Sequence, residues 1–467
     1  MAVMKWVSLA CLSALFMNGA YAENAASTAV PGPNISSIPG PIYNASNPNY
    51  LPYFVAPVDQ NLMVAQPLVK GQKTKLYILP ATPATTNWGV FDSSKKPALV
   101  INSGDSVMIE TISCMENQLL PGVPIETVEK LTAEDTNRGP HTLTGPIYIN
   151  GAVPGDVLAI HINRLVLKPQ ASNNTLPGKG LFPEKFPKAQ VKYFYLDVYH
   201  HQMDFGPGIR VPLRPFPGVV AVERAQAGIY DSIPPGDFGG NMDLREMVEG
   251  TTLYLPVFVK GGMLWTGDSH AGQGNGEIDL TAIESAFSEM NVTITVLKNK
   301  SLDRPLVETP TDWITVGYDT DLNKALASAQ AESINFIMGE QKVSRDQATQ
   351  FYYRTWNCPI SEVVNGVKGV YCMIPKDANA PTPAPLPVVS NNKEFVTVGS
   401  DSDALQAMKK ASWAMMQDLV KQRNMALNDA YVLASIAMDC RFAPYISGDK
   451  EVHCMMPKSL WVNTAQY

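Results

Sequence analysis

An internal repeat at a fixed offset of 82 residues is the feature that most constrains this chain. Asp312-Trp313-Ile314-Thr315-Val316-Gly317 matches Glu394-Phe395-Val396-Thr397-Val398-Gly399, and Cys372-Met373-Ile374-Pro375-Lys376 matches Cys454-Met455-Met456-Pro457-Lys458. The copies align without a gap over 312–376 and 394–458. Each reads as strand, long helix, second helix, irregular segment and strand. The first helices are expected over 322–338 and 404–420. Asp319 and Asp401 lie near their starts, where an acidic side chain favours the N-terminal dipole. A Pro- and Ala-rich linker, 377–392, separates the copies.

The same offset orders the cysteines. Each copy holds two of them, Cys358 with Cys372 and Cys440 with Cys454, separated by 14 positions in both cases. In an oxidising compartment the simplest pairing closes one loop within each copy. A 15-residue loop closure is worth about 3 kcal/mol in the chain-entropy model. Sequence alone leaves other connectivities open. Cys114 is then a spare thiol, with no basic neighbour in the sequence to lower its pKa.

The compartment is itself an expectation from the first residues. Residues 1–22 carry one cation, Lys5, then an apolar stretch holding Cys11, and end in the small-x-small pattern Ala20-Tyr21-Ala22. This reads as a cleaved export signal, which implies a periplasmic or secreted protein in which disulfides persist. The stretch is too short to span a bilayer comfortably, and no later segment is long enough, so no transmembrane segment is expected. Residues 23–60 are rich in Pro and Asn and read as an N-terminal arm.

From residue 61 to 308 the texture is short β-branched runs broken by turn signals such as Ser103-Gly104-Asp105 and Pro154-Gly155-Asp156. Strands are expected at 98–101, 106–110, 147–149, 156–166, 252–259 and 292–297. Many short strands with turns between them indicate a β-sandwich or barrel-like body. The fold class is therefore mainly β with α+β: this body, then the unit at 309–376, the linker at 377–392, and the second unit at 393–467. The charge of −7 comes from 36 basic and 43 acidic side chains with no Lys or Arg cluster. A nucleic-acid binder needs a basic face, so that class is excluded.

With only six His in the chain, each imidazole can be weighed. Asp268 and His270 stand two apart in the Gly-rich run Gly267-Asp268-Ser269-His270-Ala271-Gly272-Gln273-Gly274-Asn275-Gly276-Glu277. On extended backbone both project to one face, a spacing at which carboxylate and imidazole can share a divalent metal. Glu277 offers a third ligand or a general base. His141 sits in a loop bounded by breakers. His161 reads as a core or surface residue. His200 and His201 are neighbours, so at most one faces a pocket, and His453 replaces Tyr371 of the first copy.

Several segments resemble the acetamidase/formamidase family: 88–92 (WGVFD), 139–155 (GPHTLTGPIYINGAVPG), 211–218 (VPLRPFPG), 239–259 (GGNMDLREMVEGTTLYLPVFV) and 267–278 (GDSHAGQGNGEI). The similarity runs in order from about residue 87 to 458. It implies a metal-dependent hydrolase of short linear amides, formamide- or acetamide-like, giving carboxylate and ammonia. Its implied cofactor is a divalent ion, zinc first and calcium as the alternative, held by His141, Asp268 and His270. Glu277 becomes the general acid–base group, and Asn241, Asp243 and Gln273 hold the amide. The resemblance also makes a homo-oligomer an expectation. The sequence departs from the family pattern at Asn275, where members usually carry Asp, at Asn87, where members often carry His, and in doubling the α+β unit. Those departures motivate the alternative reading, a non-catalytic envelope ligand-binding protein on the same scaffold.

Overall fold

A computed structural model describes residues 73–134, 138–445 and 448–462. The leader at 1–22 and the arm at 23–60 lie outside the described residues. Among those described, the β-branched runs assemble into two large sheets. In the first, Phe287–Leu297 and Val157–Leu167 pair antiparallel along almost their whole length. Thr252–Pro256 adds to that pair, followed by Leu306–Glu308. In the second, Leu264–His270 is the hub, flanked by Thr142–Asn150, Phe216–Ala221 and Glu284–Ser285. Every residue of Leu264–His270 is buried, as a strand must be when both of its faces are covered.

The repeated units are built into the first sheet rather than appended to it. Leu306–Glu308 pairs with Asp312–Asp319, and the sheet continues through Lys368–Pro375 and Cys358–Glu362 of the first copy. It then crosses to Asp439–Phe442, Lys450–Pro457 and Glu394–Asp401 of the second. The junction pairs Pro359 with Arg441 in antiparallel register. These two positions are equivalent under the 82-residue offset, so the copies meet about a local two-fold axis.

One expectation is corrected within each copy. The segment read as irregular is a short strand, Cys358–Glu362 or Asp439–Phe442, because the junction and the neighbouring hairpin strand supply its backbone partners. The helices, Leu322–Gln341 and Ala404–Arg423, are capped by Asp321 and Asp403, whose side chains accept from Asn323 N and Gln406 N. Asp319 and Asp401 instead accept from the backbone N–H of those caps, both at 2.9 Å. Each helix packs across a strand glycine: a Cβ on Gly317 would lie 2.2 Å from Ala325 O, and one on Gly399 would lie 2.1 Å from Ala407 O. A further difference falls in the body, where Ile125–Glu134 is a helix within the region read as short strands and turns.

The disulfides join Cys358 to Cys372 and Cys440 to Cys454. Replacing one pair by Ser should lower stability by about 3 kcal/mol, with a matching fall in the guanidinium midpoint. An unchanged midpoint would show that the loops are held by packing alone.

Candidate active site

The site gathers side chains from five separated stretches around one imidazole. His270 closes the hub strand, and its ring meets the edge of Phe216 with centroids 5.0 Å apart. Its Nε2 lies 3.3 Å from Asp268 Oδ2, 3.4 Å from Glu284 Oε1 and 4.0 Å from Glu277 Oε1. Its Nδ1 faces Asp243 Oδ1 at 3.8 Å. His141 Nε2 approaches Asp268 Oδ2 at 3.7 Å, while its Nδ1 is 2.9 Å from Ser232 Oγ. Cys114 Sγ stands 3.6 Å from Asp268 Oδ1 and 3.8 Å from Glu284 Oε2.

Asp268 and His270 do meet, though not by simple strand alternation. Asp268 has φ of 51°, and Asp243 and Glu277 are also left-handed, with φ of 49° and 51°. Such backbone costs of order 1–3 kcal/mol per residue and tends to mark functional sites. Here it turns three carboxylates toward one ring. Gly218 leaves the space they occupy: a Cβ there would lie 2.6 Å from Asp268 Oδ2, 2.9 Å from His270 Cε1 and 3.0 Å from Asp243 Oδ1.

The electrostatics are those of a cluster with excess negative charge. Burial opposes ionisation of Asp268, but the His141 and His270 imidazoles hold it well below the usual carboxylate range. Burial also opposes protonation of His270, and Glu284 and Asp268 outweigh it, so its pKa is raised well above the ordinary value. Glu277 is pushed up by burial and then by Asp243. Asp243 is pushed up by burial as well. The Cys114 thiol rises through burial and the Glu284 and Asp268 charges, so it stays a neutral thiol.

A divalent cation fits this donor set. Four carboxylates and an imidazole repel or compete for protons unless a cation sits among them. Neither ring nitrogen of buried His270 has a hydrogen-bond partner, and mixed N and O donors suit borderline or hard divalent ions. Donor atoms of Asp243, Asp268 and His270 lie within 4.8 Å of one another, as do those of His270, Glu277 and Glu284. Asp243, beyond Nδ1, stands where the outer carboxylate of a ligating His commonly does.

The other sequence candidates take distinct places. Asn241 lines the cavity with its Oδ1 unpartnered. Asp243 and Gln273 do not line it; Gln273 Nε2 donates to Ser361 O at 3.1 Å. Asn275 points away as well. Its Nδ2 donates to Ile360 O at 2.7 Å and its Oδ1 accepts from Cys440 N at 3.1 Å, so one amide joins both repeated units. An ionised Asp could accept there but not donate, so Asn275 removes no carboxylate from the cavity. Asn87 donates to Val90 O at 2.8 Å. His161 is buried in the first sheet, His200 pairs with Asp197 at the surface, and His453 bonds Pro387 O of the linker.

Three participants escaped the sequence. Glu284 had a faint signal, a single acid inside the apolar run Ala282-Ile283-Glu284-Ser285-Ala286-Phe287. Cys114 had none, because its neighbours here come from 154 and 170 positions away. Asn365, from the hairpin of the first repeat, donates to Asp243 Oδ2 at 2.9 Å.

Comparison with known proteins gives one family. A sequence profile described as "Acetamidase/Formamidase family" matches residues 93–229 and 221–446. An acetamidase of Mycolicibacterium smegmatis is 29% identical over 216 residues, 33% of this chain and 53% of its own. A formamidase of Methylophilus methylotrophus is 25% identical over 212 residues, 34% of this chain and 52% of its own. The chain thus spans between half and about three fifths of the length of the curated relatives it matches. The crystal structure of an acetamidase from Bacillus halodurans superposes with a TM-score of 0.59 and 28% identity, over 64% of this chain and 97% of that one.

Gly218→Ala should weaken divalent-ion binding at least about tenfold, the scale seen when support around ligands is disturbed. Calorimetric titration with zinc on variant protein of unchanged circular dichroism checks it. Equal affinity in the two proteins would refute the crowding argument.

Proposed function

The chain belongs to the acetamidase/formamidase family, and from that premise we propose that it hydrolyses the C–N bond of linear amides to carboxylate and ammonia, with a divalent metal ion. The observation that carries this reading is the convergence of His270 with Asp268, Glu277 and Glu284 at 3.3–4.0 Å, where three of these acids floor a cavity. His141, Asp268 and His270 would hold the ion, with Glu284 beside them. A divalent ion supplies Lewis acidity, polarising a carbonyl and lowering the pKa of water toward about 7.

The chain's own residues do the rest. Asn241 offers its unpartnered Oδ1 to the amide NH2. Glu277 takes a proton from water as the oxygen adds to the carbonyl carbon. It returns that proton to nitrogen as the C–N bond breaks, so ammonia leaves rather than an amide anion. Burial favours the neutral form of Glu277, which makes it a ready donor in that second step. Asp243, held by Asn365, faces His270 Nδ1 at 3.8 Å and places a carboxylate behind the ring.

Asn275 was one motive for a non-catalytic reading, and its side chain is engaged with the backbone of both repeats. Among the described residues, no feature of the site favours that alternative. Glu277→Gln should keep the metal and lose at least about 100-fold in turnover, whereas Asp268→Ala should lose both. Metal analysis with an ammonia-release assay reads the two. Ammonia release unaffected by Asp268→Ala would sink the assignment.

We also propose that the protein is exported, on the leader pattern and on the two matched disulfides, which persist outside reducing compartments. N-terminal sequencing of protein from the cell envelope or medium should start at Glu23. Recovery only from the cytoplasm, beginning at Met1, would refute export.

A further inference from the structure

The cavity above the carboxylate–imidazole floor is much larger than formamide or acetamide requires. Its volume is about 650 Å³, within the range of sites that enclose drug-sized ligands. At about 30 Å³ per water-sized group, an amide of four heavy atoms occupies on the order of 120 Å³. Size alone does not name a ligand, but the walls are differentiated. The reactive groups His141, Asp268, Glu277 and Glu284 share the cavity with an apolar wall of Trp88, Met115, Leu119, Leu131, Leu176 and Leu280.

That wall is not spare surface of the main core. Met115, Leu119 and Leu176 belong to a separate apolar cluster, with Trp88, Leu131 and Leu280 packed against it and only half-buried. Half-buried apolar side chains along a cavity wall leave area that a ligand can cover, at about 25 cal/mol for each Å² removed from water. The wall is also braced: the Arg138 guanidinium stacks 3.6 Å from the Trp88 ring centroid, and Ile125–Glu134 carries Leu131. A one- or two-carbon amide has too few carbons to cover more than a small part of it.

We infer that the substrate is an amide bearing an apolar group of aromatic or medium-alkyl size, which lies against this wall while the C–N bond sits at the floor. The inference rests on the amidase reading and revises the short-chain expectation drawn from the resemblance. It places substrate preference in the satellite cluster rather than in the catalytic groups.

The test is ammonia release by metal-replete, full-length protein from formamide, acetamide, hexanamide and phenylacetamide. Expected are kcat/KM values for the two larger amides at least about tenfold above acetamide, the discrimination that a few buried methylene or ring carbons supply. Leu131→Trp, which narrows the apolar end, should lower the ratio of phenylacetamide to acetamide kcat/KM. The highest kcat/KM on formamide or acetamide would overturn the inference and leave the amidase reading standing. No ammonia from any amide would overturn the amidase reading, and the inference with it. An unchanged ratio in folded Leu131→Trp protein would remove the wall from substrate recognition.

Discussion

Four carboxylates crowded about one buried imidazole are the constraint on which this molecule turns. Asp243, Asp268, Glu277 and Glu284 surround His270 with almost no exposure to water. Left to themselves, such groups would separate, take up protons or draw in solvent. Two of them are held by hydrogen bonds from behind, Asp243 by Asn365 Nδ2 and Glu284 by Ala282 N, and the donor set as a whole is one that a divalent cation fits. The left-handed backbone at Asp243, Asp268 and Glu277 is part of the same demand, since strained turns persist only where the surrounding structure over-determines them.

Much of that restraint comes from the duplicated units, which act as walls of the site rather than as appendages. The first copy sends Asn365 to Asp243 and accepts Gln273 and Asn275 on its backbone carbonyls. In the second copy the helix Leu427–Ala437 backs the glycine-rich segment: Gly274 N and Asn275 N donate to Ser435 O and Met438 O, and Tyr431 OH donates to Ile278 O. A Cβ on Gly274 would lie 2.6 Å from Ala434 O. At least one glycine of the Gly-rich run therefore serves close backbone approach to a neighbouring helix. Both copies contact the segment, and they meet each other across the local two-fold axis at Pro359 and Arg441.

How much of this was legible depended on whether the signal was local. The repeat, the cysteine spacing and the β-rich body were open to reading, since each rests on periodicity or on offsets within the chain. So was the pairing of Asp268 with His270, two positions apart. Cys114 was hidden because its neighbours are more than a hundred positions away, and Glu284, although near His270 in the chain, was hidden because no local pattern marks its side chain as turned toward that imidazole. Asn275 looked like a lost carboxylate while only its position in the motif was known. Its two hydrogen bonds to separate repeats gave it another purpose. The strand Cys358–Glu362 was obscured for a similar reason, as its partners lie in a hairpin and in the other copy.

The sequence by itself determined that there are two α+β units and that each carries a matched cysteine pair, and it singled out His141, Asp268, His270 and Glu277 as candidate site residues. Those properties are carried by residue type and spacing, which survive without knowledge of the third dimension. Only the tertiary structure decided that one sheet runs through the body and both units, that Glu284 and Asn365 join the site, and that a broad apolar wall stands over it. The reason is physical: burial, pKa and cavity shape depend on which distant side chains are brought within a few ångströms, and no local pattern records that.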